Sequence, residues 1–412
     1  MLGGTNLPRV RDYNQGVVLE AIRVGDGASR VEIAEKTGLT AQTVSNIVRR
    51  LLDQALVVEA GSDPSGRKPR VKLRINPQAG YAIGALIDRD ETSLVLMALD
   101  GTIVTRTRSA VDQSLGAQGV ITQLANQVEW LVNESDIPRT KILGMGIGCP
   151  GAMDHERGIV YEPLNLFGWN WREVRLKEEL VERTGFPVIV DNDATAAAIG
   201  ERWVGGAQGV PNFAFVFMGM GVGAGLYIEN QIYRGDTTNA GELGHITLNM
   251  DGPLCFCGNR GCVEVYCAPE SMVKEARNRL QAGAESSLKH SYGNNADIEV
   301  DIEMLSKAAL ACDPLALEVV TGSARMLAAG ITSLVSLLDL RLVVLGGKRL
   351  HRLGSIYQSE VQRALDARLI TRNIRQVRVE LSQAGEDAGA VGAAAMVLHE
   401  IYSPRLSELN LV

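Results

Sequence analysis

The sequence predicts a winged helix-turn-helix domain at the N-terminus, followed by a larger α/β body of two lobes. Apolar residues recur at helical spacing within residues 29–53, and they alternate as in strands around a turn within residues 56–75. From residue 77 onward, short apolar strands alternate with helices. A chain of 412 residues is long enough for two or three domains. We expect the domains to cover residues 1–76, 77–197 and 198–412.

The first predicted helix begins at Ser29, where Glu32 completes a capping box, and it ends at Gly38. Thr40 is expected to cap the second helix. The apolar residues of that helix form one stripe, consisting of Val44, Ile47, Val48, Leu51 and Leu52. Its other face carries amides, hydroxyls and arginines, which suit base edges and phosphates in a major groove. The predicted DNA-reading residues are Gln42, Thr43, Ser45, Asn46, Arg49 and Arg50.

The residues after this helix predict a basic wing. The pattern predicts two strands, Leu56–Val58 and Val71–Ile75, with a turn between them at residues 63–66. The wing carries the basic residues Arg67, Lys68, Arg70, Lys72 and Arg74, of which we assign Arg67 and Lys68 to DNA binding. Residues 1–76 have a net charge of +4 and the remainder has −11. The predicted partner is therefore double-stranded DNA, whereas the alternative for the polar helix face alone is an ordinary solvated surface.

The body contains two similar segments, each with a strand, a loop and a second strand. They lie around residues 88–94 and 218–226, which indicates an internal duplication with two α/β lobes facing each other across a cleft. An Ala-rich segment, Ala388–Leu398, is expected to be helical. The predicted strands are Ala82–Ile87, Leu94–Leu99, Leu143–Cys149, Val188–Val190, Phe213–Phe217, Leu226–Ile228 and Leu342–Leu345.

Three of the six cysteines lie within eight residues and indicate a metal site. The chain has no run of 18 apolar residues and no apolar leader, so we expect it in the cytoplasm, where thiols stay reduced. Cys255, Cys257 and Cys262 could then converge on zinc, with His245 as the nearest fourth ligand. Four protein ligands would make this a structural site that braces a loop. The alternative is a group of buried cysteines without metal.

The motifs together resemble the ROK family of repressors, open reading frames and sugar kinases. The matching elements are ELGH and CxCGxxGCxE within Glu242–Glu264, Asp191-Asn192-Asp193-Ala194, and the N-terminal winged helix. The resemblance implies a duplicated actin-like ATPase (ribonuclease H-like) fold for residues 77–412. It also implies one structural Zn²⁺ per chain on His245, Cys255, Cys257 and Cys262, a sugar in the cleft between the lobes, and a homodimer or homotetramer.

Carboxylates and amides that each take two hydroxyls are the side chains that recognise a sugar, because an unpaired buried hydroxyl costs about 1–3 kcal/mol. Asn192, Asp193, Glu242 and Glu264 supply that chemistry, and the resemblance places these four residues, together with His245, around the sugar. Residues 148–151 and 165–169 resemble the loops on the substrate side of the family's cleft. The residues leave open which sugar binds and whether it is phosphorylated.

Asp193 matches the base of the ROK kinases, but the first phosphate loop argues against phosphoryl transfer. Those kinases carry Asp-x-Gly-Gly-Thr where this chain has Asp88-Arg89-Asp90-Glu91-Thr92. A carboxylate about 5 Å from a phosphate charge would cost about 3 kcal/mol at an effective dielectric constant near 20. The second loop, Gly219–Gly225, keeps its glycines but has Met220 where kinases usually have a hydroxyl.

We therefore expect no catalytic residues and no enzyme activity. The expected function is a sugar-responsive transcriptional regulator, a repressor of carbohydrate uptake or catabolism genes. Within regulation, a sugar-transport protein is the alternative releasing partner. The alternative from another class is an ATP-dependent sugar kinase with an appended DNA-binding domain.

Overall fold

The computed structural model describes residues 7–24, 27–63, 70–161, 171–289, 300–350 and 352–404. The N-terminal domain contains a small three-stranded sheet, and each half of the body contains a five-stranded sheet. The elements of the N-terminal domain, in chain order, are α1 (Leu7–Arg23), β1 (Ala28–Ser29), α2 (Arg30–Thr37), α3 (Ala41–Asp53), β2 (Val57–Asp63) and β3 (Arg70–Ile75).

Helices α2 and α3 begin and end where the capping residues predict. Ser29 and Glu32 form both hydrogen bonds of the capping box, and Gly38 ends α2 in the left-handed conformation with φ 70°. Thr40 caps α3 by accepting from the backbone N–H of Thr43. Helix α1, which the sequence analysis did not predict, packs against both α2 and α3. The predicted helix pair is confirmed, and α1 completes a three-helix core.

The predicted apolar stripe of α3 faces that core. Val44, Ile47, Val48 and Leu51 are buried, and Leu52 is partly buried. Strands β2 and β3 form an antiparallel wing in which Val58 lies opposite Arg74. Arg67, Lys68 and most of the predicted turn lie outside the described residues.

The first half of the body is built on a mixed sheet with the strand order β10-β7-β4-β5-β6. Helix α4 packs on this sheet and against α5, and the small hairpin of β8 and β9 lies beside β10. The elements are β4 (Tyr81–Ile87), β5 (Glu91–Ala98), β6 (Ile103–Ala110), α4 (Gly116–Glu134), β7 (Ile142–Cys149), β8 (Ala152–Asp154), β9 (Ile159–Tyr161), α5 (Leu176–Thr184), β10 (Val188–Asn192) and α6 (Asp193–Trp203).

The second half is built on a sheet with the order β13-β12-β11-β14-β15 and on helices that pack around the long α10. Its elements are β11 (Phe213–Met218), β12 (Val222–Ile228), β13 (Gln231–Tyr233), α7 (Val263–Cys267), α8 (Pro269–Gln281), α9 (Ile302–Leu310), α10 (Pro314–Leu338), β14 (Leu342–Gly346), α11 (Gly354–Arg368), β15 (Arg378–Leu381) and α12 (Ala388–Tyr402).

The two large sheets have the same topology. In each, an antiparallel three-stranded meander is followed by two parallel strands on its other side: β6-β5-β4 with β7-β10, and β13-β12-β11 with β14-β15. The internal duplication is thereby confirmed. All seven predicted strands of the body are present, whereas β6, β8, β9, β13 and β15 were not predicted.

Helices α6 and α12 pack against each other between the two sheets. They meet at Gly200 and Gly392, where a Cβ on Gly200 would come within 2.7 Å of the Gly392 Cα. Helix α12 also packs on β4 and β7 of the first sheet, where Gly84 and Gly146 allow its backbone to approach. The final helix, which the sequence analysis assigned to the second lobe, therefore packs on the sheet of the first.

Helix α10 is long and apolar enough to cross a membrane by length and composition alone. Instead, more than half of its apolar window is buried inside the protein, where it packs against α7, α8, α9 and α11. These contacts make α10 the central helix of the second lobe.

Candidate functional site

A cavity of about 390 Å³ lies between the two halves of the body, and all five predicted sugar residues line it. The loop after β7 contributes Pro150 and Gly151, the loop between β11 and β12 contributes Gly221, and the start of β12 contributes Gly223. The predicted loop at residues 165–169 lies outside the described residues. The five predicted residues on the wall are Asn192, Asp193, Glu242, His245 and Glu264.

Asp193 begins α6 at the floor of the cavity. One of its carboxylate oxygens accepts the backbone N–H of Ala194 at 2.8 Å. Burial raises the pKa of Asp193 to about 7, and the nearby carboxylates of Asp88 and Glu242 act in the same direction. A carboxyl group with this pKa can exchange a proton near neutral pH, as a general acid or base does, and in either protonation state it can hydrogen-bond a sugar hydroxyl.

The neighbouring polar residues are fixed by backbone contacts. Asn192 caps α6, since its side-chain oxygen accepts from the N–H groups of Ala194 and Thr195, while its amide group also lines the cavity. Glu264 accepts the backbone N–H of Val222 at 2.8 Å and is buried. Both side chains therefore hold a defined orientation at the cavity wall.

The structure adds cavity residues that the sequence analysis did not assign to the sugar site. Asp88 is buried, and burial raises its pKa. Asn239 holds β8 through hydrogen bonds with both the N–H and the carbonyl of Met153. Phe217 and Phe256 supply apolar walls. Asp88 stands at the end of a buried strand, a signal that could have identified it.

The acids of the first loop form ion pairs across the cleft. Lys348 and Arg349, which follow β14 in the second lobe, reach Glu91 at 2.7 Å and Asp90 at 2.5 Å. In the opposite direction, Arg89 pairs with Glu270 at 2.5 Å. The charge on these acids is therefore partly neutralised by cations of the facing lobe.

The predicted metal ligands converge. His245, Cys255, Cys257 and Cys262 place their ligand atoms within 4.8 Å of one another. The Cys257 and Cys262 sulfurs are 3.8 Å apart, and the Cys255 sulfur lies 3.6 Å from His245 Nδ1. Tetrahedral zinc with Zn–S bonds of about 2.3 Å places two sulfurs about 3.8 Å apart. The donor set and its spacing fit a metal of this kind.

His245 faces both the cysteines and the cavity. Its Nδ1 points to Cys255, and its Nε2 lies 4.0 Å from a carboxylate oxygen of Glu242. The ring of Phe256 packs edge-on against the imidazole at 5.2 Å. One imidazole therefore joins the metal cluster to the wall of the cavity.

The predicted DNA-reading face of α3 is turned away from the domain core. Gln42, Asn46 and Arg49 are exposed, and Thr43, Ser45 and Arg50 are partly exposed. The Gln42 amide donates to Asn46 at 3.2 Å, which aligns the two amides along one turn of the helix. On the wing, Arg70 and Arg74 are exposed as well. The helix and the wing thus present amides and cations to solvent.

Comparison with known families identifies both parts of the chain. A model described as "ROK family" matches residues 83–400, and one described as "MarR family" matches residues 10–68. The xylose repressor of Bacillus subtilis (strain 168) is 34% identical over 274 residues, which cover 66% of this chain and 69% of that protein.

Solved structures show the same architecture. A ROK family transcriptional regulator, described as a homolog of the E. coli MLC protein, superposes with a TM-score of 0.78 at 24% identity and covers 98% of this chain and 99% of its own. A ROK family glucokinase from Streptomyces griseus, solved with glucose and AMPPNP, gives a TM-score of 0.68 at 30% identity and covers 77% of this chain and 99% of its own. The winged helix-turn-helix and the duplicated actin-like fold are therefore confirmed, and the chain belongs to the ROK family.

Proposed function

We propose that this chain is a repressor that binds operator DNA through α3 and its wing, and that releases the DNA when a neutral sugar fills the cavity between the lobes. The observation that carries the proposal is that one chain holds both an exposed amide and arginine face on α3 and a cavity between the lobes lined by carboxylates, amides and an imidazole. The relationship to a xylose repressor supports a regulator over an enzyme.

The charges around the cavity favour a neutral sugar over a sugar phosphate. Four acids line it, Asp88, Asp193, Glu242 and Glu264, against one arginine, Arg89. A phosphate held about 5 Å from one such carboxylate would cost about 3 kcal/mol at an effective dielectric constant near 20. We propose D-xylose as the sugar, since a relative that covers two thirds of the chain is a xylose repressor.

The remaining features of the proposal concern assembly and metal. A homodimer would present two α3 helices about 34 Å apart, one for each half of a near-palindromic operator. One zinc held by His245 and the three cysteines would brace the loop that carries Glu242 and Glu264. A cytoplasmic location follows from the proposed role at operator DNA.

The second candidate function is sugar phosphorylation, and the position and raised pKa of Asp193 favour it. Against it, the loop that would receive the triphosphate carries Asp90 and Glu91, and the nearby cations Lys348 and Arg349 are paired with these acids. We therefore propose that phosphoryl transfer has been lost. Release of ADP from Mg-ATP in the presence of D-xylose, at the 1–100 per second typical of kinases, would overturn this part of the proposal.

The sugar is tested by calorimetry. Wild type should bind D-xylose more tightly than its phosphate ester, and Glu242→Ala should weaken binding by about 10- to 100-fold because sugar hydroxyls lose their partner. Glu134→Ala, an exposed acid at the end of α4 and outside this cavity, is the matched control and should leave the affinity unchanged. Equal affinity in Glu242→Ala and wild type would remove Glu242 from the sugar site.

The DNA-reading face is tested by gel-shift titration at several salt concentrations. Gln42→Ala and Arg49→Ala should each weaken operator binding by about 1–3 kcal/mol, as expected for lost base or phosphate contacts. Arg11→Ala on α1, whose side chain is exposed and paired with Asp12, is the control. Wild-type affinity in the Gln42 and Arg49 double variant would show that another surface binds the operator.

A further inference from the structure

Helix α6 extends from the sugar cavity to the DNA-binding domain. Its first residue, Asp193, and its capping residue, Asn192, line the cavity. Its last two residues, Arg202 and Trp203, contact Arg23 at the end of α1. Eleven residues at about 1.5 Å each give a rod of about 16 Å.

The contact at the far end is a helix cap supplied by another domain. Arg23 Nη1 donates to the carbonyls of Arg202, at 3.2 Å, and of Trp203. The guanidinium carbon lies 4.4 Å from the Trp203 ring centroid. The last carbonyls of a helix are unpaired and carry partial negative charge, so a cation from α1 stabilises the end of α6.

Glu20 completes this contact. It lies one turn before Arg23 on α1 and pairs with Arg202 at 2.7 Å and with Arg23 at 2.9 Å. The two arginines hold its pKa below the usual value, although burial opposes them. Glu20, Arg23, Arg202 and Trp203 thus form a buried charged network, which we call the α1–α6 junction.

The junction is incompletely satisfied in this arrangement. Among the described residues, Arg23 Nε, Arg202 Nη1 and the Tyr227 hydroxyl have no hydrogen-bond partner. They surround a cavity of about 280 Å³ that both α1 and the end of α12 also line. Buried donors without partners cost about 1–3 kcal/mol each. The cavity leaves room for these side chains to move.

Other connections also join the DNA-binding domain and the body, and one of them leads through β4 to Asp88 at the sugar cavity. Gly16 of α1 contacts Pro404 and Tyr402 at the C-terminal end of α12. The N-terminal end of α12 lies beside the ion pair between Arg108 and Asp387. The covalent connection passes from β3 through residues 76–80 to the start of β4. Helix α6 lines the sugar cavity and accepts hydrogen bonds from Arg23 of α1 through its last carbonyls. Strand β12 also lines both cavities, through Val222 at one end and Tyr227 at the other.

We propose that α6 transmits sugar occupancy to the DNA-binding domain through the α1–α6 junction, with Arg23 and Arg202 as positioning residues. The inference rests on the proposed function and specifies its regulation. Sugar contacts at Asn192 and Asp193 shift α6 along or about its axis, the cap at Arg23 follows, and α1 changes the angle at which α3 meets DNA. Affinity for sugar and affinity for operator are then reciprocally linked.

The test compares operator affinity with and without saturating D-xylose in wild type, Arg23→Gln, Arg202→Gln and the control Arg11→Gln. Wild type and Arg11→Gln should lose operator affinity at least tenfold on adding sugar. Arg23→Gln and Arg202→Gln should lose less than twofold, while their sugar affinity without DNA stays within about threefold of wild type. A tenfold sugar response retained in both junction variants would overturn the inference. Should one variant fail to fold, the other decides.

Hydrogen exchange separates this inference from the proposed function. On adding D-xylose, exchange in the last turn of α1 should change in wild type and remain unchanged in Arg23→Gln. If sugar binds and alters α1 while operator affinity stays constant, the repressor proposal fails and the junction stands. If sugar binds and releases operator without any change in α1, the junction is overturned and the repressor stands.

Discussion

The two hairpins that face each other across the cleft have one fold and opposite chemistry. The turn between β4 and β5 carries Arg89, Asp90 and Glu91, whereas the turn between β11 and β12 carries Gly219, Met220 and Gly221. The first hairpin reaches the opposite lobe through four ion pairs. The second hairpin lines the cavity, and its Val222 N–H donates a hydrogen bond to the buried carboxylate of Glu264.

The difference shows what a duplicated fold leaves free to change. The order and direction of strand pairing are the same in the two halves, whereas the turns differ in length: Ile87 pairs with Thr92 in the first hairpin and Met218 with Val222 in the second. The turns are not constrained by the core, so one could become a charged contact between lobes while the other kept its close backbone approach. Four experiments would break or sharpen this comparison.

The largest effect is expected from removing the proposed metal, whose ligands lie close in sequence to Glu264, the hydrogen-bond partner of the second hairpin. Cys257→Ser should lower the zinc content from about one per chain to near zero and lower the melting temperature strongly, since structural zinc binding amounts to about 10–16 kcal/mol in small zinc domains. Cys312→Ser, an exposed cysteine outside the cluster, should change neither. Elemental analysis and thermal melts give both quantities. If wild type without zinc melted at the same temperature as wild type with zinc, the structural role of the metal would be contradicted.

The next largest change in stability is expected from Asp193, whose carboxyl group interacts with that of Asp88 in the turn of the first hairpin. Its folded pKa is about 7 against 3.8 for the free group, so the folded state keeps a proton that the unfolded state releases between these values. This contribution to stability is complete below about pH 4 and is lost as the pH rises toward 7. Asp193→Asn should therefore gain stability relative to wild type by about 1.4 kcal/mol per pH unit across that window.

Urea unfolding at pH 4, 5.5, 7 and 8 measures this difference. Asp236→Asn, outside the cavity, is a suitable control because it should follow wild type at every pH. Parallel curves for Asp193→Asn and wild type would show that Asp193 titrates normally.

A smaller loss of stability is expected from adding a single methyl group to the second hairpin. A Cβ on Gly225 of β12 would lie 2.2 Å from the Ala194 carbonyl oxygen and 2.5 Å from the Ala198 Cβ, so Gly225→Ala forces the strand away from α6. Overpacking of this kind costs about 1–3 kcal/mol. Gly322→Ala in α10 has open space and should be neutral or slightly stabilising. Chemical denaturation compares them, and equal stabilities would show that the α6 contact is loose.

The smallest effect is expected from the ion pairs of the first hairpin. Arg349→Ala should lower stability by about 1 kcal/mol or less, because the pair is partly exposed. Activity is a separate readout on the same hairpin. The double variant Asp90→Gly, Glu91→Gly should release no ADP above background, as wild type does, since Met220 stays in the facing loop. The matched variant is Arg375→Ala, which breaks a pair with Asp339 within the second lobe. A much larger loss in Arg349→Ala would mean that the ion pairs hold the lobes together.

The helix-turn-helix could be predicted almost to the residue, because Ser29, Gly38 and Thr40 act locally through caps and φ angles. The metal cluster was likewise predictable, since its three cysteines are close in sequence. The edge strand β6 was not, because Ile103–Ala110 is mostly polar and pairs on one side with β5. The place of α12 on the first sheet depends on glycines far apart in sequence, which no local pattern reveals.

For the cleft, sequence reasoning found the acids but could not find their partners. Asp90 and Glu91 were identified as charges that would repel phosphate, and their cations, Lys348 and Arg349, lie more than 250 residues away along the chain. The α1–α6 junction was missed for the same reason, since Arg23 and Trp203 are 180 residues apart.

Because His245 contacts two sites, the loss measured on substituting it has to be divided between those two sites. Its two nitrogens face different neighbours, Cys255 on one side and Glu242 on the other. Replacing it removes both contacts at once, so its measured loss is not the sum of a metal effect and a sugar effect. Double-mutant cycles that pair His245 with Cys257 and, separately, with Glu242 would divide that loss into its two couplings.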